Sequence, residues 1–199
     1  FGFEAPEEIV QDVIQNLRDA SGYSDSKGLF AARKAIMHYT QQKGIKGVTL
    51  EDIYVGNGVS ELIVMAMNAL LDAGDEVLVP APDYPLWTAA ISLSGGSPKH
   101  YLCDESKGWL PDLDRIHNWD ELAILWVNSP HNPTGAVAPM AWLERAAELC
   151  RRHGVILACD EAYSELWFEG DAPAGALALA DLTGVLVINT LSKRSSMPG

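Results

Sequence analysis

From residue 48 onward the chain alternates short apolar runs with longer stretches in which apolar positions recur every three or four residues. The short runs at 53–55, 76–79, 99–102, 123–127, 155–159 and 185–189 predict strands, and the periodic stretches at 59–71, 86–93 and 139–153 predict the helices between them. Strand and helix in regular alternation is the rhythm of βαβ units, so the pattern predicts an α/β fold built on a parallel sheet. The runs are apolar throughout, as strands covered on both faces require. Ahead of this region, residues 6–17 predict an amphipathic helix with Ile9, Val13, Ile14 and Leu17 on one face, expected to serve packing. Pro6 stands at an early helical position, where its missing N–H costs nothing. A polar loop with Gly22 and Gly28 follows, then a second helix over 29–43. Residues 72–75 read as a turn and 170–180 as a small-residue connector, a short helix or a loop; no internal repeat is present.

Composition narrows the class of partner. A chain of 199 residues with 48% hydrophobic and 21% charged residues can bury one sizeable core, which excludes disorder. A net charge of −13, with only 14 Lys and Arg and no basic run, argues against a nucleic-acid surface and leaves small molecules or proteins as partners. Cys103, Cys150 and Cys159 are scattered, without metal-ligand spacing, and read as buried free thiols of a reducing compartment with no metal site. No run approaches the roughly 18 apolar residues of a membrane span, and residues 1–6 lack the features of a signal peptide, so a cytoplasmic location is expected. The chain starts without methionine and stops at Pro198-Gly199, and is read as an excerpt of a longer protein.

The candidate chemistry collects where strands end. Residues 185–199, VLVINTLSKRSSMPG, place Thr190, Ser192 and Lys193 after an apolar run. In open α/β sheets that edge binds ligands, and a lysine partly withdrawn from water is pushed toward its nucleophilic neutral form. A lone strand-end lysine is more often a solvated cation; two upstream segments change the balance. One is NSPHNPTG at 128–135, where two Asn and two Pro crowd a turn and an amide can donate to a cofactor oxygen. The other is DEAY at 160–163: a carboxylate after the run at 155–159 lies deep, where leaving it unpaired is costly. Asp160 therefore calls for a cation, and a protonated ring nitrogen would serve, with a helix cap or structural salt bridge as the alternative. Weaker signals are Gly56-Asn57-Gly58-Val59-Ser60, a strand-to-helix turn of the kind that binds phosphate, and Tyr84 in APDYPLW at 81–87, which could stack on a planar ring or pack in the core. Tyr23, in the first polar loop, offers a hydroxyl to an anion or to solvent.

Asn132-Pro-Thr-Gly135, Asp160-x-x-Tyr163 and Thr190-Leu-Ser-Lys193, in that order, resemble the class I/II aminotransferases of the fold-type-I pyridoxal-phosphate (PLP) enzymes, and the resemblance covers nearly the whole chain. It implies the aspartate aminotransferase-like large domain, a three-layer α/β/α structure with a mostly parallel sheet, over residues 23–199, with residues 1–22 as an N-terminal helix and arm. It further implies that Lys193 is the Schiff-base lysine, Asp160 the partner of the pyridine nitrogen, and Asn132 and Tyr163 the donors to the ring's phenolic oxygen. Tyr84 matches the stacking aromatic; Gly58, Val59, Ser60 and Thr190, with Ser192 beside them, match cofactor-binding positions; Tyr23 matches the tyrosine that reaches the phosphate of the neighbouring subunit in a homodimer. The first half resembles bacterial glutamate–pyruvate (alanine) aminotransferases. The second half, with LWVNSP at 125–130 and LSKRSS at 191–196, resembles succinyldiaminopimelate aminotransferases, with a possible join near 115–122.

The implied activity is transfer of an amino group between an amino acid and a 2-oxo acid. Two other readings remain open: another fold-type-I reaction such as carbon–sulfur β-elimination, and a PLP-binding regulatory module, which would need a basic helix-turn-helix segment absent from these residues. The family's last sheet strand, placed between the runs at 53–55 and 185–189, its small domain and its substrate-carboxylate arginine fall beyond residue 199. Residues 1–199 alone are therefore expected to be catalytically silent.

Overall fold

The computed structural model describes residues 4–197. Residues 1–3 and 198–199, which include the start of the N-terminal stretch and Gly199 of the final segment, lie outside the described residues. The elements in order are α1 (Glu7–Asn16), α2 (Phe30–Gln42), α3 (Gly58–Leu70), β1 (Glu76–Ala81), α4 (Pro85–Leu93), β2 (Ser97–Leu102), β3 (Leu122–Asn128), α5 (Met140–His153), β4 (Ile156–Asp160), β5 (Val185–Ile188) and α6 (Leu191–Arg194). The strands form one five-stranded sheet in the order β2-β1-β3-β4-β5, with every pair parallel. Among the described residues no helix is long and apolar enough to cross a membrane.

Successive strand side chains point to opposite faces, and here both faces are apolar. Val77, Val79, Ile124, Trp126, Ala158 and Ile188 pack with Ile63 and Met67 of α3 and with Trp87, Ala90 and Ile91 of α4. The alternate residues Leu78, Leu125, Val127, Leu157 and Cys159 pack with Leu143, Ala146, Ala147 and Cys150 of α5 on the other side. This is the expected three-layer α/β/α arrangement, and it accounts for the unbroken apolar character of the strands. The helix ends obey local chemistry: Pro85 opens α4 at a position with no N–H to lose, and Gly154 closes α5 with a left-handed φ of 71°.

Two expectations change. The run at 53–55 is extended at Ile53 but joins no ladder of the sheet; Val55 instead donates its N–H to Lys27 O at 2.9 Å, beside Gly28. Extended residues become a strand only when a neighbour supplies the ladder, and among the described residues β5 borders β4 alone. The helix predicted over 6–17 forms as Glu7–Asn16 with a 3₁₀ turn at Leu17–Ala20, yet it buries no residue: Val13 is 49%, Ile14 57% and Leu17 66% exposed. Its apolar face has no partner among the described residues. The connector at 170–180 contains one 3₁₀ turn, Ala176–Ala178.

Leu157 is fully buried in β4, so Leu157→Ala should lower the unfolding free energy by about 2–5 kcal/mol through lost burial and a residual cavity. Leu93→Ala, at a position 86% exposed, should change it by no more than about 0.5 kcal/mol. Urea unfolding of the two variants beside wild type measures both.

Candidate active site

Parallel pairing brings the carboxyl ends of three strands level: Asn128, the last residue of β3, pairs with Asp160, the last of β4, and Asp160 pairs with Ile188, the last of β5. The loops that leave these strands therefore start side by side, and hydrogen bonds bind them together. Asn128 Nδ2 donates to Asp160 O at 2.8 Å, Ser129 N donates to the same oxygen at 3.1 Å, and Asn128 Oδ1 accepts from Asn132 N at 2.6 Å. The turn at 128–135 is closed further by Gly135 N donating to His131 O and by the His131 Nδ1 to Thr134 Oγ1 contact of 2.7 Å. His131 is buried, and its Nε2 has no partner of ordinary hydrogen-bond geometry among the described residues; burial pushes its imidazole below the ordinary histidine range, with the Pro82 backbone acting more weakly in the opposite direction.

Asp160 is 3% exposed. Its Oδ1 accepts from Ala162 N at 3.1 Å and its Oδ2 from Trp87 Nε1 at 3.2 Å. Burial pushes its carboxyl above the ordinary range, and the two donors act in the opposite direction. Among the described residues no ion pair reaches it. The next residue, Glu161, is buried as well and accepts from Ala176 N at 2.6 Å; burial raises its carboxyl to about 7.

Tyr84 caps the start of α4, 37% exposed, with its ring edge-on to Trp87 at 5.7 Å and 77°. Trp87 is the site residue that sequence reasoning passed over. It lies three positions after Tyr84 on the same helical face, so the spacing carried a signal, but only the fold brings its indole N–H to a carboxylate 73 positions away.

Lys193 falls on the one-turn helix α6 rather than directly at the end of β5, and it is exposed where partial withdrawal from water was expected. The Lys193 ammonium lies 5.5 Å from the centre of the Tyr163 ring, which joins the two expected site residues. Thr190 caps α6: its Oγ1 lies 2.7 Å from Ser192 Oγ and accepts from Ser192 N at 3.1 Å. The segment also meets α2, where the Arg194 guanidinium lies 4.7 Å from the Tyr39 ring centre, and Tyr39 and Lys43 both donate to Glu165 in the loop after β4. Gly58, Val59 and Ser60 form the first turn of α3, whose preceding amide, Asn57 N, donates to Glu61. Tyr23 stays apart: it is fully exposed, and its hydroxyl has no hydrogen-bond partner among the described residues. A cleft of about 470 Å³ beside β2 is lined by Lys99, Lys107 and Arg115, but carboxylates pair all three: Glu76 at 3.2 Å, and Asp112 at 2.9 and 3.6 Å.

These residues fit pyridoxal 5′-phosphate. A carboxylate has about four acceptor sites, and Asp160 uses two on neutral N–H groups, so a desolvated anion retains capacity for a cationic N–H. An amine, a ring face and two hydroxyls at a helix start complete the donor set. An α/β/α sheet that carries this set on one carboxyl edge defines the class, a fold-type-I pyridoxal-phosphate enzyme. Residues 2–199 match the family described as aminotransferase class I and II, and the chain belongs to it. It is 52% identical over 202 residues to the glutamate–pyruvate aminotransferase AlaA of Haemophilus influenzae, covering 100% of this chain and 50% of that protein. It is 45% identical over 202 residues to the alanine aminotransferase of Mycobacterium tuberculosis H37Rv, covering 100% of this chain and 47% of that protein. An Escherichia coli aminotransferase structure superposes with a TM-score of 0.88 at 51% identity, over 98% of this chain and 49% of that one. The chain spans about half the length of the curated relatives it matches, 50% of the first. Members of this family depend on pyridoxal 5′-phosphate.

Between the ordinary carboxyl value of 4.5 and about 7, the folded chain keeps a proton on Glu161 that the unfolded chain has released. This residue's contribution to stability is complete below that window and is lost as pH rises through it. In urea titrations at about pH 5 and about pH 8, Glu161→Gln should therefore lose less stability on going to the higher pH than wild type does. Both proteins share Asp160, so its titration cancels in the comparison; parallel profiles would mean that Glu161 is already ionised in the fold.

Proposed function

We propose that this chain forms the cofactor-binding part of a pyridoxal-phosphate enzyme that transfers an amino group between an amino acid and a 2-oxo acid. Residues 23–199 are the large domain and residues 1–22 an arm. The observation that carries the reading is the desolvated Asp160 carboxylate, without an ion pair among the described residues, in register with the Asn128 turn and one strand from the Lys193 turn. The relatives' names point to alanine with 2-oxoglutarate, and glutamate with pyruvate, as the substrate pairs.

Pyridoxal 5′-phosphate, when bound, supplies an electron sink for the bonding electrons released at the substrate Cα. The chain's own residues do the rest. Lys193 Nζ would hold the cofactor and, when free, would carry the proton taken from the substrate Cα. Asp160 would keep a proton on the ring nitrogen by opposing its loss electrostatically. Asn132 and Tyr163 would donate to the ring oxygen, Tyr84 would stack on the ring, and Gly58, Val59, Ser60, Thr190 and Ser192 would hold the phosphate. Tyr23, whose hydroxyl is bare in the single chain, reaches the phosphate of a neighbouring subunit, which makes the working form a homodimer. Three buried free thiols support a cytoplasmic location.

Borohydride reduction of the full-length protein with its cofactor, followed by peptide mapping, should place the pyridoxyl group on Lys193, and L-alanine with 2-oxoglutarate should yield pyruvate and glutamate without free ammonia. A label on Lys27 or Lys99 would overturn the lysine assignment, and ammonia release would mark elimination instead of transfer.

Asp160→Asn keeps the shape of the site and removes the charge. It should retain the cofactor while its turnover number falls by about 10²–10³, the range for deleting one preorganised electrostatic group. Near-normal turnover would refute the role.

A further inference from the structure

Trp87 is 1% exposed, and its indole is held by three rings: Tyr84 edge-on at 5.7 Å, Trp126 tilted by 45° at 6.3 Å, and His131 stacked at 26° and 6.5 Å. An indole N–H can only donate, and when buried it needs an acceptor. The acceptor is Asp160 Oδ2 at 3.2 Å, while Ala162 N takes Oδ1 at 3.1 Å. Each carboxylate oxygen therefore has one neutral donor, one from α4 and one from the loop that follows β4, and the group cannot turn about its Cβ–Cγ bond without breaking both bonds. Ala162 N is a backbone donor two residues away and comes with the local turn. Trp87 is the only side chain in the described structure that donates to this carboxylate.

We infer that Trp87 is a positioning residue for the amino-transfer site: its indole N–H fixes the orientation of the Asp160 carboxylate, and its stacked contact with His131 locks that carboxylate to the turn at 128–135. The inference rests on the function proposed above. Among the other core tryptophans, Trp142 gives its N–H to the Pro111 carbonyl oxygen at 3.1 Å and the buried Trp126 N–H has no partner among the described residues, whereas Trp87 gives its single donor to the group that function makes electrostatically central. The same indole touches Tyr84, the stacking aromatic, so one side chain sets the relative placement of three loops, those beginning at 81, 128 and 160. A donor that bonds the ionised carboxylate favours ionisation, so its loss should raise the pH at which Asp160 titrates. The other titratable groups around this point are Cys159 and Glu161 on either side of Asp160, His131 against the indole face, and Tyr163 with Lys193 over its ring.

The test uses the full-length protein. In Trp87→Phe, which keeps an aromatic ring and deletes the donor, the Asp160 carboxyl ¹³C titration of the apoprotein should shift to higher pH. In the holoenzyme the turnover number should fall about tenfold or more while KM for the amino acid stays near wild type, as expected for losing a bond to a charged group that matters in the transition state. An unchanged Asp160 midpoint would reduce Trp87 to core packing and overturn the inference. Should Trp87→Phe fail to fold, the wild-type apoprotein decides: the Trp87 indole ¹⁵N–¹H resonance should titrate with the Asp160 midpoint, and that titration should vanish in Asp160→Asn. An indole resonance that ignores Asp160 overturns the inference. Both apoprotein readings are independent of amino transfer, so a shifted midpoint in a protein without that activity would refute the proposed function and leave the Trp87–Asp160 bond established.

Discussion

A parallel sheet covered by helices on both faces has nowhere for polar side chains except the ends of its strands. In this chain the interior of every central strand is apolar, from Val77 in β1 through Ile124 to Val127 in β3 and Leu157 to Cys159 in β4. The first polar residue that each of β3 and β4 reaches is its last, Asn128 and Asp160, and the register sets these two side by side. Chemistry is confined to one edge because hydrophobic burial excludes it elsewhere. The placement of Asp160 inside that edge, at 3% exposure, is the constraint from which the rest of the site follows.

A carboxylate that deep must be held by donors, and the surroundings are organised to supply them. Trp87 and Ala162 serve the side chain, Asn128 and Ser129 serve the backbone oxygen of the same residue, and the loop that leaves β4 is tied back by Glu161 to Ala176. The buried polar residues thus cluster here instead of being spread through the core: Asn128, Ser129, His131, Asp160 and Glu161 are five of the seven buried among the described residues. The desolvation of Asp160 and Glu161 opposes folding near neutral pH, and a site that needs an acceptor of this strength accounts for its retention.

Away from this edge the structure is looser and more exposed. Lys193 stands in solvent on a single helical turn, Tyr23 is bare, and the apolar stripe of α1 meets nothing among the described residues. The Tyr39–Glu165–Lys43 contact ties the loop after β4 to the end of α2, and the Arg194 guanidinium over Tyr39 brings the Lys193 segment to the same helix. The division is physical: the half of the site carried by β3 and β4 is preorganised by core packing, and the half carried by α6 and the first loop is held by surface contacts.

The sequence alone determined the fold class, because periodicity records burial directly: uniformly apolar runs between amphipathic helices can only be strands sandwiched between layers. It also pointed to the strand ends where the candidate site residues gather, since a deep carboxylate after an apolar run and a crowded Asn-Pro turn are local signals. Helix and strand bounds came within a few residues for the same reason, as with 86–93 against Pro85–Leu93. What needed tertiary structure was everything set by partners distant along the chain. The extended run at 53–55 was legible as extended, but whether it joins the sheet depends on a neighbour that no local pattern encodes. The exposure of Lys193 depends on what lies beyond β5. The bond from the Trp87 N–H to Asp160 likewise appears only on folding, because hydrogen-bond pairing between distant positions is decided by three-dimensional register and leaves no period in the sequence.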